Sequence, residues 1–255
     1  MKYKTLVPYT SALPNAENQK ILDQYFLGWR FVLSPASIRS FGKNREHILY
    51  SHGYGLDNGA YSYWKRDLPF PTERFLMCIE KYGDKADWIV LPDVIQNWVE
   101  TQEFSEHWYN KLKGINNLLI VAQNGCEENN YKDLKKWVER GCGIFVGGDD
   151  DFKANHSKQI VDMCRKNNLI CHIGRVNSIK RMEWCHEIGA FSFDGSGMAR
   201  FREQARSMSR HVAWIHKGKI NQLPLFSEWS EDKYYQTMQN KYFKGEQDEQ
   251  SIKII

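Results

Sequence analysis

The sequence predicts an α/β fold in which a single domain forms a (β/α)8 barrel of the TIM type. Short apolar runs rich in β-branched residues alternate with longer amphipathic segments, and this alternation is typical of parallel strands joined by helical crossovers. Eight strand-like runs can be counted, and the length of 255 residues is close to what such a barrel requires. An open, doubly wound sheet is the alternative arrangement of the same units.

The predicted strands are short and are separated by segments long enough for a helix. In chain order they are Tyr3–Val7, Arg30–Ser34, Tyr54–Asp57, Asp87–Leu91, Leu118–Ala122, Gly143–Gly147, Leu169–Ile173 and Phe191–Asp194. Between most of them, apolar residues recur at three- and four-residue spacing, as at Leu134, Trp137 and Val138. The second unit is the exception, because Pro35–Lys43 allows only a short helix.

The chain is expected to divide into a barrel and a C-terminal extension. The eight units occupy residues 1–219, and residues 220–255 form the extension. Within it, LPLFSEW at 223–229 is apolar enough to pack on the barrel, whereas the polar ending KGEQDEQSIKII predicts disorder.

Composition argues against several classes of protein. The six cysteines have no C-x-x-C spacing, so neither a zinc knuckle nor a disulfide framework is indicated, and free thiols in a reducing cytoplasm are expected. The N-terminal MKYKTLVPYT has no apolar signal segment, and no run approaches the roughly 20 apolar residues that span a bilayer. We therefore expect a cytoplasmic protein without membrane contact.

Positive charge is concentrated in one segment, although the net charge of the chain is only +4. Between Met198 and Lys219 a single acid, Glu203, stands against six cations: Arg200, Arg202, Arg206, Arg210, Lys217 and Lys219. Such a segment is either the solvated face of a helix or a ridge that binds the phosphates of a polyanion.

Polar or glycine residues stand at the carboxyl ends of six consecutive predicted strands, from the third to the eighth. In a (β/α)8 barrel this end carries the active site. Each motif alone has a simpler explanation as a turn or a helix cap, but turns do not readily account for all six. The residues are Asp57 and Tyr61 in LDNGAYS, Asp93 in LPDVIQ, Gln123 in VAQNG, Gly147 and Gly148 in VGGDDDFK, Ile173 and Gly174 in HIGRV, and Asp194 in FDGSG.

Three converging carboxylates are compatible with more than one chemistry. They could ligate a metal, hydrolyse a glycosidic bond, or divide into a nucleophile, a general acid/base and a group that reads a base. A metal is less favoured because His172 and His186 do not occupy obvious ligand positions. We expect His172 to face away from the side of the strand that carries Ile173.

The order and the residues of the six strand-end motifs resemble those of the tRNA-guanine transglycosylase superfamily. Its members are (β/α)8 barrels that exchange a guanine for a 7-deazaguanine through a covalent glycosyl-enzyme intermediate. The resemblance implies that Asp194 is the nucleophile, with small residues after it leaving room for a sugar. It also implies that Asp57, in DNGAYS, is the general acid/base of the family's D-S-G-G-[FY]-Q motif. The base-contacting roles would belong to Tyr61 (stacking), Asp93 and Gln123 (base reading), Gly147 and Gly148 (backbone contacts), and Ile173 with Gly174 (closing the other face of the base).

The chain departs from the tRNA enzymes because it lacks their zinc-binding subdomain: no cysteine follows Cys185, and the chain is shorter. In this it looks more like the 7-deazapurine DNA transglycosylases of phages and bacterial DNA-modification islands. That likeness implies DNA and a free 7-deazaguanine base, such as 7-cyano-7-deazaguanine, as partners, with no metal or organic cofactor. For a phage-encoded chain it implies the host cytoplasm.

Basic side chains at the same end of the barrel would contact flanking phosphates, namely Arg175, Arg200, Arg202 and Arg206. Trp64 and Trp88 are further candidates for contact with nucleic acid. Three rival functions remain at this point: guanine exchange in tRNA, release of a base by an N-glycosidase on the same barrel, and binding of nucleic acid without catalysis.

Overall fold

The structure is a computed structural model that describes residues 6–11, 16–25, 28–38 and 50–217, and it has the predicted architecture. Eight parallel strands follow one another in chain order, and the sheet closes because β1 pairs with both β2 and β8. A closed (β/α)8 barrel is thus confirmed over the open sheet. The strands are β1 (Val7–Thr10), β2 (Arg30–Leu33), β3 (Tyr54–Leu56), β4 (Ile89–Val90), β5 (Leu118–Ala122), β6 (Gly143–Val146), β7 (Cys171–Ile173) and β8 (Ser192–Gly195).

Helices alternate with these strands along the chain. In order, the α-helices with both ends described are α1 (Ala16–Tyr25), α2 (Ala60–Trp64), α3 (Thr72–Tyr82), α4 (Trp98–Leu112), α5 (Lys132–Glu139), α6 (Asp150–Lys166), α7 (Ile179–Glu187), α8 (Gly197–Arg200) and α9 (Arg202–His216). The short helices α2 and α8 directly follow β3 and β8, so they lie at the carboxyl end of the barrel. None of the helices in the described ranges is both long and apolar enough to cross a membrane.

The first strand differs from its prediction. The sequence predicted Tyr3–Val7, whereas β1 spans Val7–Thr10, and residues 1–5 lie outside the described part of the chain. The reason is pairing: Tyr9 aligns with both Arg30 and Asp194, and its ring is buried inside the barrel. A polar-looking Tyr-Thr pair therefore belongs to the strand rather than to the loop after it.

Apolar residues form two separate cores, one on each face of the sheet. The larger core lies between strands and helices and includes Phe31, Ile120 and Phe193. The smaller one fills the inside of the barrel and consists of Tyr9, Val32, Trp88, Val90, Leu119 and Val121, with Val7, Phe145 and Ile170 packed against it. Both faces of the strands are therefore apolar, which is why the strands read as continuous apolar runs.

Trp88 is the largest side chain inside the barrel and is fully buried. Its ring centroid lies 5.2 Å from that of Tyr9 and 4.6 Å from that of His172. A Cβ atom on Gly55 would stand 2.3 Å from the indole, so the glycine on β3 provides the space that the tryptophan fills. The expectation that Trp88 contacts nucleic acid is therefore wrong, because it packs the barrel interior instead.

Two predictions fall at the limits of the described residues. The extension 220–255 lies outside them, as do residues 39–43 of the short second unit. The last described helix of the barrel, α9, ends at His216, and the boundary at residue 219 stays a prediction.

Candidate active site

Three carboxylates from three strands meet at the carboxyl end of the barrel. Asp57 follows β3, Asp93 follows β4, and Asp194 lies within β8. Burial, and then repulsion from Asp194 and Asp93, raises the pKa of Asp57 to about 7, while the backbone N–H groups of Asn58 and Gly59 oppose the shift. Asp57 thus exchanges its proton near neutral pH, as a general acid/base must. No group of three or more His, Cys, Asp or Glu within the described ranges could hold a metal ion.

Asp93 lies in a buried network with two amides. Asn58 Nδ2 donates to Asp93 Oδ1 at 2.7 Å, and Gln123 Nε2 donates to Asp93 Oδ2. Gln123 Oε1 in turn accepts the backbone N–H of Gly148 at 3.1 Å. Burial raises the pKa of Asp93 to about 6, against the two amide donors. The structure therefore brings Asp93, Gln123 and Gly148 together, as the strand-end motifs predicted.

Asn58 is a site residue that the sequence analysis missed. Besides holding Asp93, its Nδ2 donates to the Leu91 carbonyl at 2.8 Å, and its Oδ1 accepts the Ala60 N–H at 2.7 Å. It therefore ties the start of α2 to the end of β4. Asp-Asn-Gly is such a common turn sequence that its asparagine carried no separate signal.

Asp194 is held by a buried histidine from the neighbouring strand. His172 Nε2 lies 3.1 Å from Asp194 Oδ1, and His172 Nδ1 lies 2.8 Å from Ser192 Oγ. Burial lowers the pKa of His172 against the opposing effect of Asp194, so the ring is neutral at neutral pH. Because a carboxylate can only accept, the proton belongs on Nε2, and Nδ1 accepts from the Ser192 hydroxyl.

The last two residues of β7 face opposite sides of the sheet. The sequence predicted Ile173 on the side of the site, but His172 lies there instead. His172 packs inside the barrel, with its ring stacked 5.0 Å from that of Phe145. Ile173 is fully buried in the outer core, between the strands and the helices. The predicted contact between the Ile173 side chain and a base is therefore wrong, because side chains alternate along a strand and the adjacent His172 occupies the inner face.

The glycines of the site serve close packing. Gly148 has a φ of +69°, which a side chain disfavours, and this conformation accompanies its N–H bond to Gln123. Cβ atoms on Gly147 and Gly174 would come within 2.8 Å of Val121 and 2.7 Å of Phe145. A Cβ on Gly195, after the Asp194 nucleophile candidate, would meet the Val176 carbonyl at 2.1 Å. Gly195 therefore allows the loop after β7 to approach the strand, and the room for a sugar beside Asp194 stays a prediction.

Arg175 was predicted to contact flanking phosphates, but it lies beside the central residues of the site. Its guanidinium donates to the Gly148 carbonyl and lies 5.1 Å from the centre of the Tyr61 ring. Its backbone N–H reaches Asp194 Oδ1 at 3.4 Å, and its φ is +60°. The exposed Arg175 thus connects the loops after β3, β6 and β7 with the carboxylate on β8.

Lys153 is a second functional candidate that the sequence analysis missed. It is buried, and its Nζ donates to the Gly174 carbonyl at 2.8 Å. Burial, followed by repulsion from Arg175, lowers its pKa to about 7, while Asp150 and Asp194 act in the opposite direction. Lys153 therefore fixes the backbone from which Arg175 projects. In the sequence it follows a run of acids typical of a helix start, and its inward direction gave no separate signal.

The remaining predicted arginines are spread along the chain after β8. Arg200 ends α8 and Arg202 begins α9, and both are exposed at the end of the barrel where Asp194 lies. Arg206 lies one turn farther along α9 and pairs with Glu203 at 3.4 Å. Of these three arginines, Arg200 and Arg202 have no acidic partner among the described contacts. Both also lie close in sequence to the end of β8.

Comparison with known proteins gives no family. No protein-family model matches the chain, and no curated protein is significantly similar to it.

Proposed function

We propose that the protein is a DNA-guanine transglycosylase, which exchanges guanine in DNA for a 7-deazaguanine base through a covalent aspartyl-glycosyl intermediate. The observation that carries the proposal is that the three carboxylates lie in three different environments. Asp194 is oriented by His172, Asp93 is held by amides, and Asp57 has a pKa of about 7. The strand-end motifs, which resemble those of the tRNA-guanine transglycosylase superfamily, support the same function.

The first half of the exchange forms a bond to Asp194. Its Oδ1 accepts hydrogen bonds from His172 and from the Arg175 N–H, so Oδ2 is the oxygen available to attack C1′. The Oδ2–C1′ bond forms as the C1′–N9 bond breaks, and the bonding electrons move to the guanine. Asp57 donates its proton to the departing base, which leaves as neutral guanine.

The second half reverses these steps with another base. Asp57, now ionised, takes the N9 proton of the incoming 7-deazaguanine, and N9 attacks C1′ and expels Asp194. A pKa near neutrality suits both duties, because the carboxyl must first give a proton and then accept one. The acid is regenerated, and neither step needs a metal or an organic cofactor.

Guanine is selected by the network around Asp93. The carboxylate accepts from the N1–H and the exocyclic amine, while the Gly148 N–H and the Gln123 amide address O6. Adenine or a pyrimidine would break the hydrogen bonds among these buried groups on entering without replacing them, which discriminates strongly. The target nucleotide has to leave the helix at a cost of a few kcal/mol, and stacking on Tyr61 recovers part of that cost.

The test is mass spectrometry of nucleosides from duplex DNA incubated with the purified protein and 7-cyano-7-deazaguanine. Asp194→Asn removes the nucleophile with little change of shape, and Asp84→Asn is a matched control at an exposed site before β4. A 7-deazaguanine deoxynucleoside formed by the native chain and by Asp84→Asn, but not by Asp194→Asn, is the expected result.

Each other outcome selects a rival. Modification of tRNA alone would identify a tRNA enzyme, and abasic DNA would identify an N-glycosidase. Nucleic-acid binding that is unaffected by Asp194→Asn, with no chemical change in either polymer, would identify a non-catalytic binding protein.

A further inference from the structure

Large aromatic side chains are exposed at the active-site end of the barrel. Tyr61 and Trp64, on α2 after β3, are 41% and 53% exposed, and Phe201, after β8, is 59% exposed. Exposing an aromatic ring of this size forgoes the burial that stabilises other aromatics in the described ranges, such as Trp88 and Phe193. Exposed aromatics grouped beside a catalytic opening indicate a binding surface.

Cations are interleaved with these aromatic residues. Lys65 and Arg66 directly follow Trp64, and Arg200 and Arg202 flank Phe201; all four are exposed. The acids nearest in sequence are Asp67 and Glu203, and Glu203 is engaged with Arg206. Each loop thus presents at least one ring for stacking and two cations.

The rings after β3 form a continuous group. The centroids of Tyr61 and Trp64 lie 5.9 Å apart with an interplanar angle of 33°, and the Arg175 guanidinium lies 5.1 Å from the Tyr61 centroid. Tyr61 is linked to Asp194 through Arg175, and Trp64 is its more exposed neighbour. A base next to the reacting nucleotide can therefore stack on Trp64 while the reacting base is at Tyr61.

We propose that the loops after β3 and β8 bind the unpaired nucleotides of a DNA strand on either side of the reacting guanine. Trp64 and Phe201 would stack on bases, and Lys65, Arg66, Arg200 and Arg202 would contact phosphates. The identity of the strand as DNA rests on the proposed function. The charge fits a polyanion, and the rings fit a single strand, because bases in a duplex are already stacked on both faces.

The two loops are placed to bind opposite sides of the reacting nucleotide. In the closed barrel β3 and β8 are separated by β1 and β2, so their loops lie at different points around the opening. Asp57 belongs to one of these strand ends and Asp194 to the other. A strand that crosses the opening meets both loops and passes over both carboxylates.

The experiment measures binding without turnover. The full chain carrying Asp194→Asn is titrated into a fluorescently labelled single-stranded deoxyoligonucleotide of about 15 nucleotides, and separately into its duplex. Trp64→Ala and Phe201→Ala are each expected to weaken single-strand binding about tenfold and duplex binding less than about twofold. Trp64→Phe keeps a stacking ring and is expected to restore most of the affinity.

Two further sets of variants complete the design. Trp214→Ala removes an exposed aromatic ring on α9 outside the two loops and should not change the affinity. Lys65→Ala and Arg202→Ala should each reduce the dependence of log Kd on log salt by about one, as expected for one lost phosphate contact. Circular dichroism checks that each variant is folded.

Three results would overturn the proposal: native affinity in both Trp64→Ala and Phe201→Ala, equal losses on single strand and duplex, or tighter binding of RNA of the same sequence. These results are separable from the fate of the proposed function. If the protein exchanges bases but neither alanine variant weakens binding, only the proposed binding surface is rejected. If the alanine variants weaken binding but no base is exchanged, only the proposed transglycosylase activity is rejected.

Discussion

At the scale of single residues, the environment of Asp194 determines which of its oxygens can react. Oδ1 accepts from His172 and from the Arg175 N–H, whereas no hydrogen bond to Oδ2 is found in the described part of the chain. His172 is itself fixed by Ser192 and by the ring of Phe145. The fold itself therefore holds the carboxylate in one orientation, which is the positioning that the proposed catalysis requires.

Removing the donor from His172 should slow formation of the proposed covalent intermediate. His172→Phe keeps a ring beside Phe145 but cannot donate to Asp194, and we expect the single-turnover rate of adduct formation to fall about 100-fold. His172→Gln, which retains an N–H near the same place, should recover part of that loss. Equal rates in the Phe variant and the native protein would show that His172 only fills space.

The raised pKa of Asp57 makes stability depend on pH. In the unfolded chain this carboxyl titrates near 3.8, whereas in the folded protein it titrates near 7. Between those values the folded state binds more protons, so stability falls as pH rises through this window. An asparagine at this position would remain neutral throughout and could still accept the backbone N–H groups that now bind Asp57.

We therefore expect Asp57→Asn to raise Tm by about 5 °C at pH 8 and to leave it almost unchanged at pH 4. Thermal unfolding followed by circular dichroism at both pH values measures the difference. The exposed Asp84→Asn serves as the control and should give the same small change at both. An Asp57→Asn effect that is equal at pH 4 and pH 8 would contradict the assigned environment.

At the scale of elements, the loop after β7 adopts a backbone conformation that its sequence disfavours. Arg175 has a φ of +60°, and the Gly174 carbonyl before it is held by Lys153 from α6. A non-glycine residue in this region costs about 1–2 kcal/mol. The loop keeps this strain where its arginine contacts Tyr61 and Gly148, which indicates that the side chain is needed there.

Substitution at this position should separate stability from binding. Arg175→Gly removes the strain and is expected to raise Tm by about 2–4 °C relative to Arg175→Ala, because alanine keeps the cost without the contacts. If the proposed function holds, both variants bind DNA more weakly than the native protein. If alanine proves as stable as glycine, the left-handed conformation is not maintained in solution.

The strands were largely predictable, whereas the direction of their side chains was not. Parallel strands buried on both faces show no two-residue alternation of polarity, so the strand ending in His172 and Ile173 gave no sign of which face was inner. The carboxylates were found because polar residues stood at successive strand ends. Lys153 and Asn58 were missed, and His172 was placed on the wrong face, because their roles depend on contacts between different strands and helices.

At the scale of the whole molecule, packing inside the barrel depends on a contact between a glycine and a tryptophan. Gly55 on β3 faces the indole of Trp88, and the inner core contains few other side chains large enough to replace that ring. The pair supports the base of the site, because Trp88 also contacts His172 at a centroid distance of 4.6 Å. Packing inside the barrel is thus connected to the candidate nucleophile through one histidine.

A double-mutant cycle tests this packing. Gly55→Ala places a Cβ against the indole and is expected to destabilise the protein by about 1–3 kcal/mol. Combining it with Trp88→Phe should cost less than the sum of the two single changes, because the smaller ring makes room for the methyl group. The free energy of unfolding in urea measures each corner of the cycle, and strict additivity would contradict the contact.

The hydrogen bond between the Gly148 N–H and Gln123 Oε1 has a consequence for how long a base resides in the site. Asp93, Gln123 and the Gly148 N–H are already bonded to one another, so in the proposed reaction an entering purine replaces an existing hydrogen-bond partner with a new one. The net gain from each such exchange is small, which predicts weak retention of the free base and rapid dissociation. The proposed exchange, in which one purine has to leave before another enters, benefits from that short residence time.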